Sequence, residues 1–280
     1  MNVRRVDIGG IVLGVAEAGP ADGPPIILLH GFPESHAAWD GVAGTLAAQG
    51  FRVLRPDLRG YGISDAPAGI AAYALDRLAA DIIALGATFG LKRFDLVGHD
   101  WGGVVAWAVT GRYPARVRRM VTIAAPHPDT IWPVMRRHPR QIWRSAYMAF
   151  FQLPWLPEAM LRAGNFRLLK GSLVRTSRAG TFGHEALEAY TRGWRRRLTT
   201  MLNYYRALRV RREGIGPIGV PALILWGAAD RYLGVELAHA AAGMCEDAHV
   251  AVRDDATHWL HREEPDWVSA QIAAFCGARG

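Results

Sequence analysis

Apolar residues follow two rhythms along the first part of the chain. "RRVDIG" (4–9) and "IVLGVAEAG" (11–19) alternate with a period near two and predict a hairpin, while "PPIILLHG" (24–31), "FRVLRPD" (51–57) and "RFDLVGHD" (93–100) are short apolar runs bounded by turn residues, the pattern of buried strands. Residues 73–89 differ. They set Leu75, Leu78, Ala79, Ile82, Leu85 and Phe89 three or four apart, which predicts an amphipathic helix covering one face of a sheet. "VVAWAVTGRYPARV" (104–117) continues as a helix and "RRMVTIAAP" (118–126) returns as a strand. Strand, helix, strand in succession implies parallel pairing. From about Pro128 to Gly216 the strand rhythm stops, replaced by proline-punctuated helical stretches such as "QIWRSAYMAFFQLP", "HEALEAYTRGW" and "LTTMLNYYRAL". Strands resume at "VPALILWG" and "AHVAVRDD", with helices at "GVELAHAAAG" and "PDWVSAQIAAF". The expected architecture is α/β: a mostly parallel central sheet flanked by helices, built from residues 1–127 and 217–280 and interrupted by a helical cap subdomain at 128–216.

Composition narrows this picture. Half of the 280 residues are hydrophobic, enough for a sizeable core, but no run approaches the eighteen or so consecutive apolar residues of a membrane span. "MNVRRVDIGG" lacks the apolar centre of a secretory signal, so a cytoplasmic protein is expected. Cys245 and Cys276 have no metal-ligand spacing and read as buried free thiols. No metal and no cofactor are expected. The formal charge of +8 is carried almost wholly by arginine, lysine occurring only at Lys92 and Lys170. The excess is spread along the chain, its densest runs being Arg136-Arg137-His138, Arg195-Arg196-Arg197, and Arg209 with Arg211-Arg212. These read as solvated helix faces rather than a phosphate track, so neither a nucleic-acid nor a membrane partner is expected. A monomer or a homodimer fits equally.

The candidate chemistry centres on "LVGHDWGGVVA" (96–106), where Gly98-His99-Asp100-Trp101-Gly102 is a G-x-nucleophile-x-G turn between strand and helix. A cramped turn of this kind lifts its central side chain above the sheet and aims a helix N-terminus at it, which favours a carboxylate. A plain turn would account for the glycines and the acid individually. The second piece is His30-Gly31-Phe32-Pro33, directly after an apolar strand, where the Phe32 N–H and the Trp101 N–H could bind an oxyanion; a proline turn with a capping histidine is the alternative. Downstream, Asp230 ends "LILWGAAD" and His258 lies in "DDATHWLHREEP", giving the chain order nucleophile, acid, histidine. Asp254 and Asp255 are rival acids. His261, beside "REEP", is expected at a solvated helix start, and His99 is expected to point away from the site.

Together "HGFP", "RPDLRGYGISD", "GHDWGG", "LILWGAADRYL" and "THWLHREEP", in this order over nearly the whole chain, resemble the α/β-hydrolase-fold epoxide hydrolases. The resemblance implies an aspartate nucleophile, a small apolar epoxide substrate and water. It also implies two acidic tyrosines from the cap, one before an aromatic-Gln-x-Pro stretch and one in an L-N-aromatic-Y-R stretch. "YMAFFQLP" matches the first at Tyr147 and "LNYYRA" the second at Tyr205, with Tyr204 about a hundred degrees round the helix. Haloalkane dehalogenases share the scheme up to the leaving group, and Trp101 with Trp132, Trp143 or Trp155 could supply halide donors. Fluoroacetate dehalogenases are also similar, but Trp101 and Val104 stand where they carry arginines. A non-catalytic binding module of the same fold is a third alternative. Trp132, Phe150, Phe151, Trp155 and Phe182 are expected to wall the pocket.

Overall fold

The computed structural model describes residues 3–210 and 214–277. Arg211 and Arg212, the end of one basic run, lie outside the described residues. Among the described residues eight strands form one sheet: β1 (Val3–Asp7), β2 (Val12–Ala18), β3 (Pro25–Leu29), β4 (Arg52–Pro56), β5 (Phe94–His99), β6 (Val117–Ile123), β7 (Ala222–Gly227) and β8 (Ala248–Arg253). Their spatial order is β1-β2-β4-β3-β5-β6-β7-β8. β1 and β2 form the expected hairpin, β2 is antiparallel to β4, and every later pairing is parallel, as in β3 with β5 (Leu29 beside Gly98) and β6 with β7.

The side-chain alternation of the central strands divides the core in two. Ile26 and Leu28 of β3, with Val97, Val121 and Leu225, face the helices Asp40–Ala48 and Pro265–Gly277, which bury Val42, Leu46, Val268 and Ile272 against them. Ile27 and Leu29, with Leu96, Met120 and Trp226, face the other way. There they meet the helix Leu75–Thr88 and the helix Trp101–Arg112. In the first of these Leu78, Ala79, Ile82 and Leu85 are buried at the predicted spacing, although the helix starts two residues late because Ile70–Tyr73 forms a separate 3-10 turn. Each aliphatic side chain so buried stabilises the fold by about 1.5–3 kcal/mol. β3, β5 and β7 are buried on both faces, which is why they read as unbroken apolar runs.

Among the described residues the named elements between β6 and β7 are all helices. "QIWRSAYMAFFQLP" does not form one helix: Pro139–Arg144 and Ala146–Phe150 are split at Ser145, whose φ and ψ of −95° and 3° are not helical. "HEALEAYTRGW" and "LTTMLNYYRAL" instead belong to a single 23-residue helix, His184–Arg206. The 21-residue segment Leu156–Thr176 carries a break at residues 163–166, where Asn165 and Phe166 have φ of 56° and 62°. No described helix is long and apolar enough to cross a membrane.

Candidate active site

β5 delivers the chain to Asp100, which stands at φ 49° and ψ −120° immediately before the helix Trp101–Arg112. A non-glycine residue in this region costs on the order of 1–3 kcal/mol and persists only where its surroundings fix it. Here the Asp100 N–H donates to the Ile123 carbonyl at 3.2 Å and its own carbonyl accepts from the Val104 N–H at 3.0 Å. Gly102 is required by closeness, since a Cβ there would strike the Leu29 and His30 carbonyls. At Gly31 a Cβ would lie 2.5 Å from the Asp100 Cβ. The two glycine-bearing turns therefore press together, with Asp100 standing at the N-terminal end of the helix.

The loop after β3 supplies the first contact. The Phe32 N–H donates to Asp100 Oδ1 at 2.8 Å. His30 is fully buried; its Nε2 accepts from the Leu58 N–H at 3.0 Å, and its other nitrogen lies 3.0 Å from the Gly31 carbonyl. Burial pulls its pKa down, so it serves as a neutral staple between two loops. The Phe32–Pro33 peptide is cis. Trp101 opens the helix, with its ring edge-on to Tyr205 at 5.1 Å.

On the other side of Asp100, His258 Nε2 lies 3.7 Å from Oδ2. His258 Nδ1 donates to Asp230 Oδ2 at 2.8 Å, and Asp230 Oδ1 accepts the N–H groups of Tyr232 (2.7 Å) and Leu233 (3.0 Å). Burial alone would lower the imidazole pKa. The Asp230 carboxylate, by charge and by hydrogen bond, followed by Asp100 and Glu34, reverses this and lifts it to about 9. At neutral pH the resting histidine is therefore an imidazolium facing the Asp100 side chain. The rival acids are elsewhere: Asp255 pairs with Arg178 at 2.9 Å, and Asp254 is exposed.

Tyr147 and Tyr205 come from the inserted helices, their rings edge-on with centroids 5.9 Å apart. Burial raises both phenols well above their ordinary pKa, and the Asp100 charge adds to it, so both keep their protons. Tyr204, the neighbour, turns away and donates to the Arg59 carbonyl at 2.7 Å. Asp100, Tyr147 and Tyr205 together belong to the walls of two cavities. One, of about 280 Å³, is lined by Phe32, Phe150, Phe151, Leu173, His258 and Trp259. The other, of about 90 Å³, is lined by Leu75, Val104, Ile131, Met148 and Leu237.

Two of the five expected pocket walls are therefore Phe150 and Phe151. Trp132 and Trp155 correct the expectation: they are 63% and 73% exposed, because Val134 is the buried residue of the helix Ile131–Arg137 and Trp155 stands in the bend before Leu156. Phe182 also falls outside the cavities. It is buried behind the wall, edge-on to Trp259 at 5.2 Å. His261 is a further correction, for it is 1% exposed rather than solvated.

Sequence reasoning missed what surrounds His261. Its Nε2 donates to Glu34 Oε2 at 3.0 Å, and Glu34 Oε1 accepts from Tyr190 Oη at 3.0 Å and from Arg262 at 3.4 Å. Burial, which would raise the Glu34 carboxyl, is overcome by His261, His99 and Arg262, and the group stays ionised. Burial, then His99, drives His261 down to about 3, so it is neutral. His99 points away from the cavity as expected; its Nε2 donates to the His258 carbonyl at 2.9 Å and fixes the backbone of that residue. Glu34, His99 and His261 have donor atoms within 4.8 Å of one another, but the adjacent Arg262 cation already neutralises the carboxylate, an arrangement unsuited to a metal ion. The signal was the acid following "HGFP", indistinguishable in sequence from an exposed turn residue. Gln141 was missed too. Its amide donates to the Tyr232 carbonyl at 2.8 Å and accepts from the Gly234 N–H at 2.9 Å, tying the insertion to the loop that carries Asp230.

Comparison with known proteins identifies the family. The sequence profile described as alpha/beta hydrolase fold matches residues 24–265. The chain is 39% identical over 274 residues to AB hydrolase superfamily protein YfhM of Bacillus subtilis, covering 96% of each chain. It is 34% identical to epoxide hydrolase 4 of Mus musculus over 97% of this chain and 78% of the relative. The crystal structure of a Bacillus megaterium epoxide hydrolase in complex with an inhibitor superposes with a TM-score of 0.89 at 26% identity, over 98% of this chain and all of that one (100%). The chain belongs to the α/β-hydrolase-fold family, on the branch that holds the epoxide hydrolases.

Proposed function

We propose that the protein hydrolyses an apolar epoxide to a vicinal diol through an alkyl ester on Asp100. The observation that carries this reading is a carboxylate with one oxygen held by the Phe32 N–H and the other facing His258, in the wall of a cavity that two protonated phenols also line. Asp100 attacks a ring carbon from behind the C–O bond, and that bond opens as Tyr147 and Tyr205 hydrogen-bond the departing oxygen and one donates its proton. Attack at an sp3 carbon yields an ordinary ester that water can cleave, whereas attack on an ester substrate would yield an anhydride; an aspartate rather than a serine fits the first.

Esterification removes the Asp100 charge that helps hold His258 protonated. The imidazolium then gives its proton up to the phenolate left by ring opening, and the neutral imidazole, held by Asp230, takes one from a water that adds to the ester carbonyl carbon, so that phenol and imidazolium are both restored. The N–H groups of Phe32 and Trp101 stabilise the oxyanion, and the diol leaves as Asp100 is restored. In this reading residues 1–127 and 217–280 form the catalytic core and residues 128–216 a cap that supplies the acids. The mainly apolar walls, including Phe150, Phe151 and Leu173, favour aliphatic or aromatic substituents.

Halide release is less well supported. Trp132, Trp143 and Trp155 are exposed by 63%, 82% and 73%, and the Trp259 indole already donates to Thr176 Oγ1 at 3.0 Å, which leaves Trp101 as the one candidate indole donor from the sequence. A panel of styrene-type, aliphatic and cyclic epoxides beside short bromoalkanes separates the readings. Diol without bromide is expected; bromide release without diol would replace the proposal, and inertness toward the whole panel would favour a binding module.

A further inference from the structure

The two short helices that lead into the insertion, Ile131–Arg137 and Pro139–Arg144, have opposed faces. Inward, Val134 and Gln141 are buried, and Ile131 and Gln141 line the smaller cavity beside Asp100. Outward, Trp132, Ile142 and Trp143 are 63%, 49% and 82% exposed, and Arg136, Arg137, Arg140 and Arg144 are exposed among them. The Arg136 guanidinium lies 5.9 Å from the Trp132 ring centroid. Arg137, His138, Arg140 and Arg144 gather round one surface recess whose wall contains a single carboxylate, Glu236.

This surface is uncompensated. Residues 130–157 contain no aspartate or glutamate. Among the described residues, none of the four arginines has a carboxylate within ion-pair distance, whereas Arg59, Arg118 and Arg206 pair with Asp81, Asp95 and Glu158. Exposed indoles interleaved with guanidinium groups have the composition of a surface that settles at the headgroup level of a bilayer, arginine meeting phosphate and indole meeting the acyl boundary.

We propose that this face docks reversibly on an anionic phospholipid bilayer. A second copy of the chain is a poor occupant, because a two-fold contact would set the same arginines against each other. A nucleic-acid strand needs a longer basic track than two helices of seven and six residues provide. The expectation of no membrane partner is thereby revised for the surface, not for a span. Docking rests on charge and exposure, not on the chemistry proposed for Asp100. It would bring a wall of the candidate site against the phase into which apolar compounds partition.

Co-sedimentation of the full chain with vesicles of phosphatidylcholine doped with phosphatidylglycerol, and of phosphatidylcholine alone, tests this. The protein is expected to pellet with the anionic vesicles only, and less at high salt. Arg137→Gln with Arg140→Gln should lower the partition coefficient about fivefold per arginine, and Trp132→Ser with Trp143→Ser should lower it further, with melting temperatures unchanged. Failure to pellet, equal pelleting with both vesicle types, or unchanged pelleting of the folded variants would overturn the proposal. Retention of an oligonucleotide that the same variants abolish, without vesicle binding, would reassign the arginines to nucleic acid.

Discussion

Asp230→Asn perturbs the candidate base without changing the shape of the site. In the native arrangement Asp230 Oδ1 is occupied by the N–H groups of Tyr232 and Leu233, so only Oδ2 is left for His258. An asparagine would keep its carbonyl on those two N–H groups and turn its NH₂ toward His258 Nδ1. That nitrogen must then accept, which puts the imidazole proton on Nε2, facing Asp100 and unable to receive one from water. The lost charge matters as well. The rise of the His258 pKa from 6.5 to about 9, achieved against burial, corresponds to about 3–4 kcal/mol of imidazolium stabilisation, or about three hundredfold in rate if the hydrolytic transition state uses all of it. Tautomer inversion extends the expected loss toward about 10⁴-fold. Alkylation needs only the Asp100 carboxylate and the phenols, so the variant should accumulate an ester. Rapid-quench single turnovers, with mass spectrometry of the peptide containing Asp100, read this directly. Wild-type diol formation by the variant, or no substrate-sized adduct on Asp100, would refute the reasoning.

The same histidine makes stability depend on pH. Because its folded pKa lies above the unfolded value, its contribution is complete below about pH 6.5 and lost as pH rises through about 9, and Asp230→Asn should flatten that fall in urea titrations. Tyr147→Phe or Tyr205→Phe should each slow ester formation about 10²-fold or more, and the double variant should abolish it, with folding unchanged by circular dichroism. Gly102→Ala drives a methyl into the Leu29 and His30 carbonyls; a loss of about 1–3 kcal/mol in denaturant unfolding and a displaced Asp100 are expected, and an unaffected variant would remove the close-packing argument.

What could be read from sequence follows from what a linear pattern encodes. β3, β5 and β7 were legible because strands buried on both faces need unbroken apolar runs, and the elbow because Gly98, Asp100 and Gly102 have no cheaper explanation together. Asp230 and His258 followed from their places after strands. The helix Asp40–Ala48 was missed, since its alanines and glycines show little amphipathic contrast. Trp132 and Trp155 were misplaced because short helices broken by proline do not reveal which face turns inward. Glu34 and His261 escaped for another reason. Each is polar in a segment that reads as exposed, and only their pairing across 227 residues makes their burial tolerable.

The covalent role of Asp100 is tested most directly by one turnover of excess enzyme in ¹⁸O-water. The account predicts unlabelled oxygen in the first diol and ¹⁸O in the Asp100 carboxylate; label carried straight into that diol, with Asp100 unlabelled, would contradict it.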